Sequence, residues 1–191
     1  MEDSCYYCKG SKDKANQFAC KACIKSKNIG SVLMSGYINT NSGVQYVEFS
    51  KHQQSDAEAL LKTLSETLVV SDLHGVWNLF DINETPPVKN VVVVSFVGKL
   101  SNTRIDAQED IEIRVKDGTI KAGFCVFERK DPPCLVPGSK AWFVKQLKLA
   151  SSAFFIDDST DHVESVATLN IPSILIKDRT HLEKTLSSVV F

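Results

Sequence analysis

Residues 68–76 read LVVSDLHGV, and a second apolar run at 153–156 is followed directly by Asp157 and Asp158. Each short apolar run is typical of a buried strand, and each ends in a carboxylate. In a chain of alternating strands and helices, the carboxyl ends of parallel strands converge on one crevice. Because converging carboxylates favour a hard cation such as Mg²⁺, the two runs predict a cation site at one edge of a sheet.

The chain around these two runs alternates between strand-like and helix-like segments. The predicted strands cover 68–71, 91–95, 153–156 and 173–176, with an apolar segment at 120–127, and the predicted helices cover 139–149, 161–169 and 179–189. A proline-containing loop at 131–138 precedes the first of these helices. This order predicts an α/β fold, a Rossmann-like and mostly parallel sheet flanked by helices.

The segment 105–115 has two interpretations. Ala107, Ile111 and Val115 recur at helical spacing, whereas Ile111, Ile113 and Val115 alternate as in a strand that would lead into a hairpin turn at 117–118. Parallel neighbours in a sheet need a crossover connection, which is usually a helix. We therefore favour the helix.

Four cysteines near the start form two CxxC pairs, Cys5 with Cys8 and Cys20 with Cys23. Four thiolates at this spacing predict a closed tetrahedral zinc site, whose metal supplies the folding energy that so short a segment lacks. Redox CxxC chemistry is the alternative, but it needs one such pair at a helix start in a thioredoxin-like unit. Since protein would fill all four positions, the predicted zinc is structural.

Three regions are expected along the chain. Apolar runs on either side of the turn residues 39–43 predict a β-hairpin, which we expect to extend the sheet of the zinc-ribbon-like module, giving a unit of residues 1–50. Residues 51–66 read as a linker followed by a helix with Ala57, Leu60, Leu61 and Leu64 on its apolar face. Residues 67–191 form the α/β unit.

The overall charge is balanced, with 22 basic and 23 acidic residues. This excludes a general polyelectrolyte, so any contact with nucleic acid must be local. The local exception is the basic zinc module, because residues 1–30 contain six lysines against three acidic residues.

The absence of a leader or a membrane-length apolar run, together with clustered cysteines, predicts a soluble intracellular protein, cytoplasmic or nuclear.

The motifs of residues 67–191 resemble those of the haloacid dehalogenase-like (HAD-like) superfamily, most of whose members are Mg²⁺-dependent phosphohydrolases. Residues 68–76 are similar to its hhhhDxDG[TV] motif, and residues 91–95, VVVVS, to its apolar strand that ends in Ser or Thr. Lys140 stands where the family has a lysine at the start of a helix, and residues 154–161, FFIDDSTD, are similar to its acidic motif. The resemblance implies a HAD-like fold.

Each motif also has a chemical rationale. An aspartate beside Mg²⁺ can attack phosphorus, because the metal neutralises the repulsion between carboxylate and phosphate, and Asp72 is the candidate nucleophile. Ser95 and Lys140 are candidates for holding the phosphoryl oxygens, where charge builds up in the transition state. The predicted magnesium ligands are Asp72 and Asp157, with Asp158 or Asp161 to complete the metal shell.

His74 departs from the family pattern, which usually has a second aspartate as acid and base at this position. Histidine can perform general acid–base catalysis near neutral pH, so His74 is a candidate catalytic residue. A charged imidazole would also disfavour a nearby metal. Two outcomes therefore stay open: a working phosphohydrolase, or a non-catalytic HAD-like scaffold whose zinc module binds a protein or nucleic acid.

The other histidines and two aromatic residues are expected to have structural roles. His52 is expected in the solvated linker and His181 in the last helix. His162 directly follows the acidic motif and could contact the cleft, but a surface position of a helix is favoured. Trp77 and Phe80 are expected to be core or cleft-wall residues.

Only 22 residues separate Asp72 from Ser95, too few for a helical cap, so an open cleft is predicted. By family analogy, open sites accept macromolecular phosphates, and the expected partner is a phosphorylated macromolecule or protein.

Overall fold

A computed structural model describes residues 4–12, 14–64, 66–86, 88, 90–128 and 136–188. Seven strands form one sheet in the order β2-β1-β5-β4-β3-β6-β7. The strands are β1 (Val32–Thr40), β2 (Gly43–Ser50), β3 (Thr67–Asp72), β4 (Val91–Phe96), β5 (Ala122–Val126), β6 (Leu149–Asp157) and β7 (Ser173–Leu175). The helices are α1 (Lys21–Ser26), α2 (Gln54–Thr63), α3 (Asn102–Lys116), α4 (Lys140–Gln146), α5 (Thr160–Ala167) and α6 (Arg179–Ser187).

The predicted mixed α/β architecture is confirmed. Strands β3 to β7 pair in parallel, whereas β1 is antiparallel to both β2 and β5. The centre of the sheet is built from β-branched residues, and residues 91–94 of β4, all valine, are fully buried. Such continuous apolar runs are expected of strands that are covered on both faces.

Helices cover both faces of the sheet. One core joins β3 and β4 to α3 and α6 through Val69, Val93, Ile111 and Leu182. The other core joins the opposite face to α2, α4 and α5 through residues that include Leu61, Phe143 and Val166. Alternate residues of each central strand therefore point into different cores, which fixes the register of the strands.

Several predicted boundaries shift. The ambiguous segment 105–115 is helical, as favoured, and lies inside α3, whose N-cap Ser101 accepts a hydrogen bond from the Thr103 amide. The helix predicted within residues 51–66 is α2, which ends at Thr63, and β3 begins at Thr67. Strand β6 takes Leu149, which was expected in the preceding helix. Residues 131–135 of the predicted proline loop, with Cys134, and residue 189 of the predicted last helix lie outside the described residues.

The hairpin lies elsewhere than expected. It forms at the predicted position, but β1 pairs with β5, with Met34 opposite Val126, so the hairpin extends the main sheet instead of a sheet of the zinc module. The physical reason is burial on both faces of β1, where Leu33 and Met34 are each at most 3% exposed. Gly36 allows this close pairing, because a Cβ there would lie 2.1 Å from the Gly123 carbonyl oxygen.

The cysteine-bearing segment, residues 4–31 and hereafter the zinc module, attaches to the loop that follows β4. The Phe18 amide donates to the Leu100 carbonyl, and the Asn102 amide donates to the Asn16 carbonyl. Lys99 in the same loop donates to the Gly30 carbonyl at 2.8 Å. The module therefore lies at the end of the sheet where β4 terminates.

Among the helices of the described ranges, none combines the length and the apolar character that a membrane crossing requires.

Candidate functional site

The candidate site lies where the strand order changes direction. Strand β3 is flanked in parallel by β4 on one side and β6 on the other, so the chain leaves β3 toward one edge and later returns to its other side. Ligands of open α/β sheets bind at such switch points, outside the carboxyl ends of the strands. Asp72 is the last residue of β3 and Asp157 the last residue of β6, so both predicted carboxylates meet there.

Lys140 joins these two carboxylates. It is the first residue of α4, as predicted, and Ser139 caps that helix by accepting from the Trp142 amide. The Lys140 ammonium donates to Asp72 Oδ1 at 2.9 Å and to Asp157 Oδ2 at 2.8 Å. Lys140 is 2% exposed and Asp157 fully buried, so this ion pair has low solvent screening.

Burial and charge set the ionisation of these three groups. Burial raises the pKa of Asp72 to about 7, and this outweighs the opposing effect of Lys140. Burial acts in the same direction on Asp157, but hydrogen bonds from His162 and Lys140 prevail and lower its pKa to about 2. Burial alone would lower the pKa of Lys140, yet the two carboxylates raise it. A lysine cation therefore faces one firmly ionised carboxylate and one that titrates near neutral pH.

Asp158 completes a cluster with the two buried carboxylates. Carboxylate oxygens of Asp72, Asp157 and Asp158 lie within 4.8 Å of one another. Gly75 makes room for this arrangement, since its φ is +82° and a Cβ there would lie 2.1 Å from Asp158 Oδ2. Oxygen ligands of this kind suit Mg²⁺. Lys140 bonds to one oxygen on each buried aspartate, and the other Asp157 oxygen accepts from the Ser159 amide at 3.0 Å. The donor set is therefore compatible with a hard cation.

Asp161 does not belong to this cluster. It lies in the first turn of α5 and is exposed, whereas Asp72, Asp157 and Asp158 form the group that lies together. Its prediction as a magnesium ligand is not supported by this geometry. The reason is the position at which α5 begins. With Thr160 as its first residue, the helix directs His162 toward the cleft, where it contacts Lys140 and Asp157, and leaves Asp161 exposed.

His162 contacts the site, which the sequence analysis gave as the less favoured alternative. Its Nδ1 lies 3.3 Å from Lys140 Nζ and 3.3 Å from Asp157 Oδ2, and its side chain is 18% exposed. An unprotonated Nδ1 accepts from Lys140, whereas a protonated one donates to Asp157. The position next to an acidic motif was the available signal, and the expectation of a surface role was wrong.

His74 and Ser95 lie together at the next strand end. Ser95 is fully buried near the end of β4, and its Oγ lies 3.3 Å from Nδ1 of the exposed His74. His74 follows Asp72 by two residues, so an imidazole, a hydroxyl and a carboxylate border the same crevice. The arrangement can bind an anion and move a proton beside it.

The two aromatic residues and the two other histidines considered in the sequence lie outside the carboxylate cluster. Trp77 and Phe80 are buried and pack edge to face, with ring centroids 5.3 Å apart, in the core beneath the site. His52 is exposed next to α2, and His181 accepts from the Lys177 amide at 3.2 Å within the last helix. These positions agree with the structural roles expected of them.

The four cysteines of the zinc module form a second cluster. Their sulfur atoms lie within 4.8 Å of one another, and Cys8 Sγ is 3.8 Å from Cys20 Sγ. A tetrahedral zinc site with Zn–S bonds of about 2.3 Å has sulfur atoms about 3.8 Å apart. Despite burial, backbone hydrogen bonds lower the pKa of Cys5 to about 6, which favours a thiolate. The cluster is therefore compatible with zinc binding.

Comparisons of this chain with protein-family models, with curated proteins and with solved structures found no match.

Proposed function

We propose that the protein is a Mg²⁺-dependent phosphohydrolase of the HAD-like type that acts through an aspartyl-phosphate at Asp72. The observation that carries the proposal is the buried Lys140 ammonium, which bonds to carboxylates at the ends of two adjacent parallel strands. Ser95 and His74 border the same crevice from the third strand end and its loop. A nucleophile, a cation, a hydroxyl and an acid–base group are thereby available to one phosphate.

In the first step, a carboxylate oxygen of Asp72 attacks the phosphorus of a phosphate monoester. The new bond joins that oxygen to phosphorus, while the bond from phosphorus to the ester oxygen breaks. Protonated His74 gives its proton to the departing oxygen, which leaves as an alcohol. His74 is a suitable donor because it is exposed at the mouth of the crevice, where the leaving group would extend.

In the second step, a water molecule attacks the phosphorus of the aspartyl-phosphate. Neutral His74 accepts the proton of that water, the bond between phosphorus and the Asp72 oxygen breaks, and inorganic phosphate leaves. Asp72 is then a carboxylate again and His74 is protonated, so the cycle closes. Proton transfer by a positioned side chain contributes roughly 10²–10⁴-fold to such rates.

Asp72, Asp157 and Asp158 would hold the magnesium ion, which would neutralise the repulsion between carboxylate and phosphate. Lys140 acts on the same charges from the protein side, because it stabilises the ionised form of Asp72. Ser95 can donate its hydroxyl to a phosphoryl oxygen. His162 positions Lys140 through the contact with Nζ and so fixes where the ammonium lies.

A macromolecular phosphate fits this crevice best. Between Asp72 and β4, the described residues form loops and one short 3₁₀ turn, Trp77–Leu79, whose Trp77 is buried in the core. Those described residues contain no helical cap that could enclose a small substrate. The four-cysteine cluster, which we take as a structural zinc site, leaves no open metal position and so takes no part in the reaction.

The direct test is Mg²⁺-dependent phosphate release from a chromogenic monoester and from a phosphorylated DNA end. Asp72→Asn should abolish turnover, because the amide cannot attack phosphorus. Asp161→Asn is the matched control: it removes an exposed carboxylate near the site and should keep activity close to that of the intact protein. Full activity in Asp72→Asn would refute the proposed mechanism.

His74→Asp separates the enzyme from the alternative, a non-catalytic scaffold whose zinc module binds a protein or nucleic acid. If His74 is the working acid and base, turnover in the intact protein should exceed that of His74→Ala by at least about 10²-fold. Inactivity of the intact protein with activity in His74→Asp would instead favour the scaffold, since the fold would then lack only its acid–base group.

A further inference from the structure

The zinc module exposes two aromatic rings side by side. Tyr6 and Tyr7 are 47% and 36% exposed, and their ring centroids lie 5.2 Å apart at an interplanar angle of 86°. Both rings also contact Phe18, which is 3% exposed, at 6.1 and 5.9 Å. Each tyrosine ring therefore packs against the buried Phe18 and remains partly exposed to solvent. Exposed aromatic pairs on a rigid support are suited to contact with another ring system.

Two lysines contact this aromatic pair, and two more lie on helix α1, whose C-cap is one of the contacting lysines. Lys9 Nζ lies 5.3 Å from the centroid of the Tyr6 ring, and Lys27 Nζ lies 4.7 Å from that of Tyr7. Lys21 and Lys25 stand four residues apart on α1 and so share one helix face. Residues 4–12 and 14–31 contain no acidic residue. Asp13, the one acidic residue of the segment 4–31, lies outside the described residues, so the charged side chains in the described part of the module are all positive.

Acidic side chains of the neighbouring helix α3 face one side of the module, but in the part of the chain that the structure describes they form no ion pair with its lysines. A cleft of about 410 Å³ lies between the module and α3, with Lys9 and Lys12 on one wall and Asp106 and Glu109 on the other. The lysines of α1 and its C-terminal end do not line this cleft. Within the described residues, no ion pair involves them. One of these lysines, Lys27, lies over the Tyr7 ring.

We propose that this face of the zinc module binds single-stranded nucleic acid, with bases stacked on Tyr6 and Tyr7 and phosphates neutralised by Lys9, Lys21, Lys25 and Lys27. Successive cations fit a chain of successive phosphates, whereas a phosphorylated peptide offers a single anion and no base to stack. A duplex hides the faces of its bases, so the tyrosines select unpaired strands. The binding does not depend on the proposed hydrolysis.

The first test measures the affinity of the zinc-loaded full chain for a fluorescent oligothymidine of about twelve nucleotides. Tyr6→Ala and Tyr7→Ala should each weaken binding by about 5- to 150-fold, the usual range for one base stacked on an aromatic side chain. Tyr6→Phe and Tyr7→Phe keep the ring and should bind like the intact protein. Equal losses in the phenylalanine and alanine variants would overturn the stacking role.

The second test measures the salt dependence of that affinity. Two variants are compared, and each removes four positive charges by Lys→Gln substitution. One variant carries Lys9→Gln, Lys21→Gln, Lys25→Gln and Lys27→Gln, and the control carries Lys62→Gln, Lys116→Gln, Lys148→Gln and Lys184→Gln, all exposed and outside the module. The slope of log K against log salt should become shallower by about 3 in the first variant and stay unchanged in the control.

Three controls keep the outcome unambiguous. Zinc content measured by mass spectrometry must match that of the intact protein, and the phenylalanine variants cover the case in which an alanine variant fails to fold. The Asp72→Asn variant should bind the oligonucleotide as tightly as the intact protein, which separates this inference from the proposed reaction. Equal affinity for a duplex, or equal loss in the two lysine variants, would refute it.

Discussion

Replacement of Lys140 by methionine should destabilise the protein by about 3–5 kcal/mol at neutral pH. Methionine has a similar length and no charge, so it fills the buried space while removing the ammonium from between Asp72 and Asp157. Asp157 is fully buried and the Asp72 side chain is 10% exposed, so little water can replace the lost partner. Breaking a buried pair costs this much because an uncompensated charge remains.

The loss should depend on pH. Without Lys140 the pKa values of both carboxylates rise, because the ammonium no longer opposes the effect of burial, while the hydrogen bond from His162 still lowers the pKa of Asp157. Groups with raised pKa values bind protons in the folded state, so the variant recovers stability as the pH falls and loses it as the pH rises. The difference from the intact protein should therefore be largest near pH 8 and smaller near pH 5.

Urea unfolding followed by tryptophan fluorescence measures this difference. Trp77 and Trp142 are both buried in the cores of the sheet, and the zinc module contains no tryptophan, so the signal reports the α/β part alone. Lys145→Met is the matched control: it removes an exposed lysine from the same helix and should change stability by no more than about 0.5 kcal/mol.

Adding Asp157→Asn to Lys140→Met should restore part of the loss, because one of the two unpaired charges then disappears. A loss of unfolding free energy below about 1 kcal/mol in Lys140→Met, or a loss that is the same at pH 5 and pH 8, would contradict the conclusion that solvent screens this ion pair only weakly. Such a result would mean that water reaches the two carboxylates and that Lys140 is free to leave them.

Three further outcomes are expected. Gly75→Ala should cost roughly 1–3 kcal/mol in urea unfolding, because its Cβ would clash with the Asp158 carboxylate, and Asp158→Ser should reduce the loss. Cys20→Ala should abolish bound zinc in mass spectrometry, whereas Cys125→Ala, which alters a buried cysteine of the sheet, should not. Asp157 should contribute a loss of about 2 kcal/mol to the stability of the intact protein as the pH falls from 4 to 2, since its pKa is lowered to about 2; the Asp157→Asn variant should lack this contribution in urea unfolding.

Local patterns predicted the centre of this fold. The valine run of β4 and the runs before Asp72 and Asp157 have the composition of strands buried on both faces, and these residues form adjacent parallel strands. Because parallel strand ends meet at one edge, the position of the two carboxylates followed from chain order alone. The CxxC spacing likewise predicted the clustering of the four cysteines.

Features that depend on distant partners were not predictable in this way. The hairpin pattern specifies that β1 pairs with β2, but it contains no information on whether β1 also joins β5. The helix phase of α5 decides between Asp161 and His162, and that phase depends on the cap at Ser159, whose Oγ accepts from the His162 amide. A shift of one residue in the start of α5 would exchange their positions.

The pairing of β1 with β5 has a consequence for how the chain folds during synthesis. Met34 leaves the ribosome long before Val126, its partner, and at about 5–20 residues per second the wait is on the order of ten seconds. During that interval the hairpin presents an unpaired edge and cannot complete the sheet. The four cysteines, in contrast, all lie within residues 5–23 and can capture a metal as soon as they emerge. The zinc module should thus fold before the sheet is complete, and the hairpin that follows it should be the segment most exposed to intermolecular pairing until β5 appears.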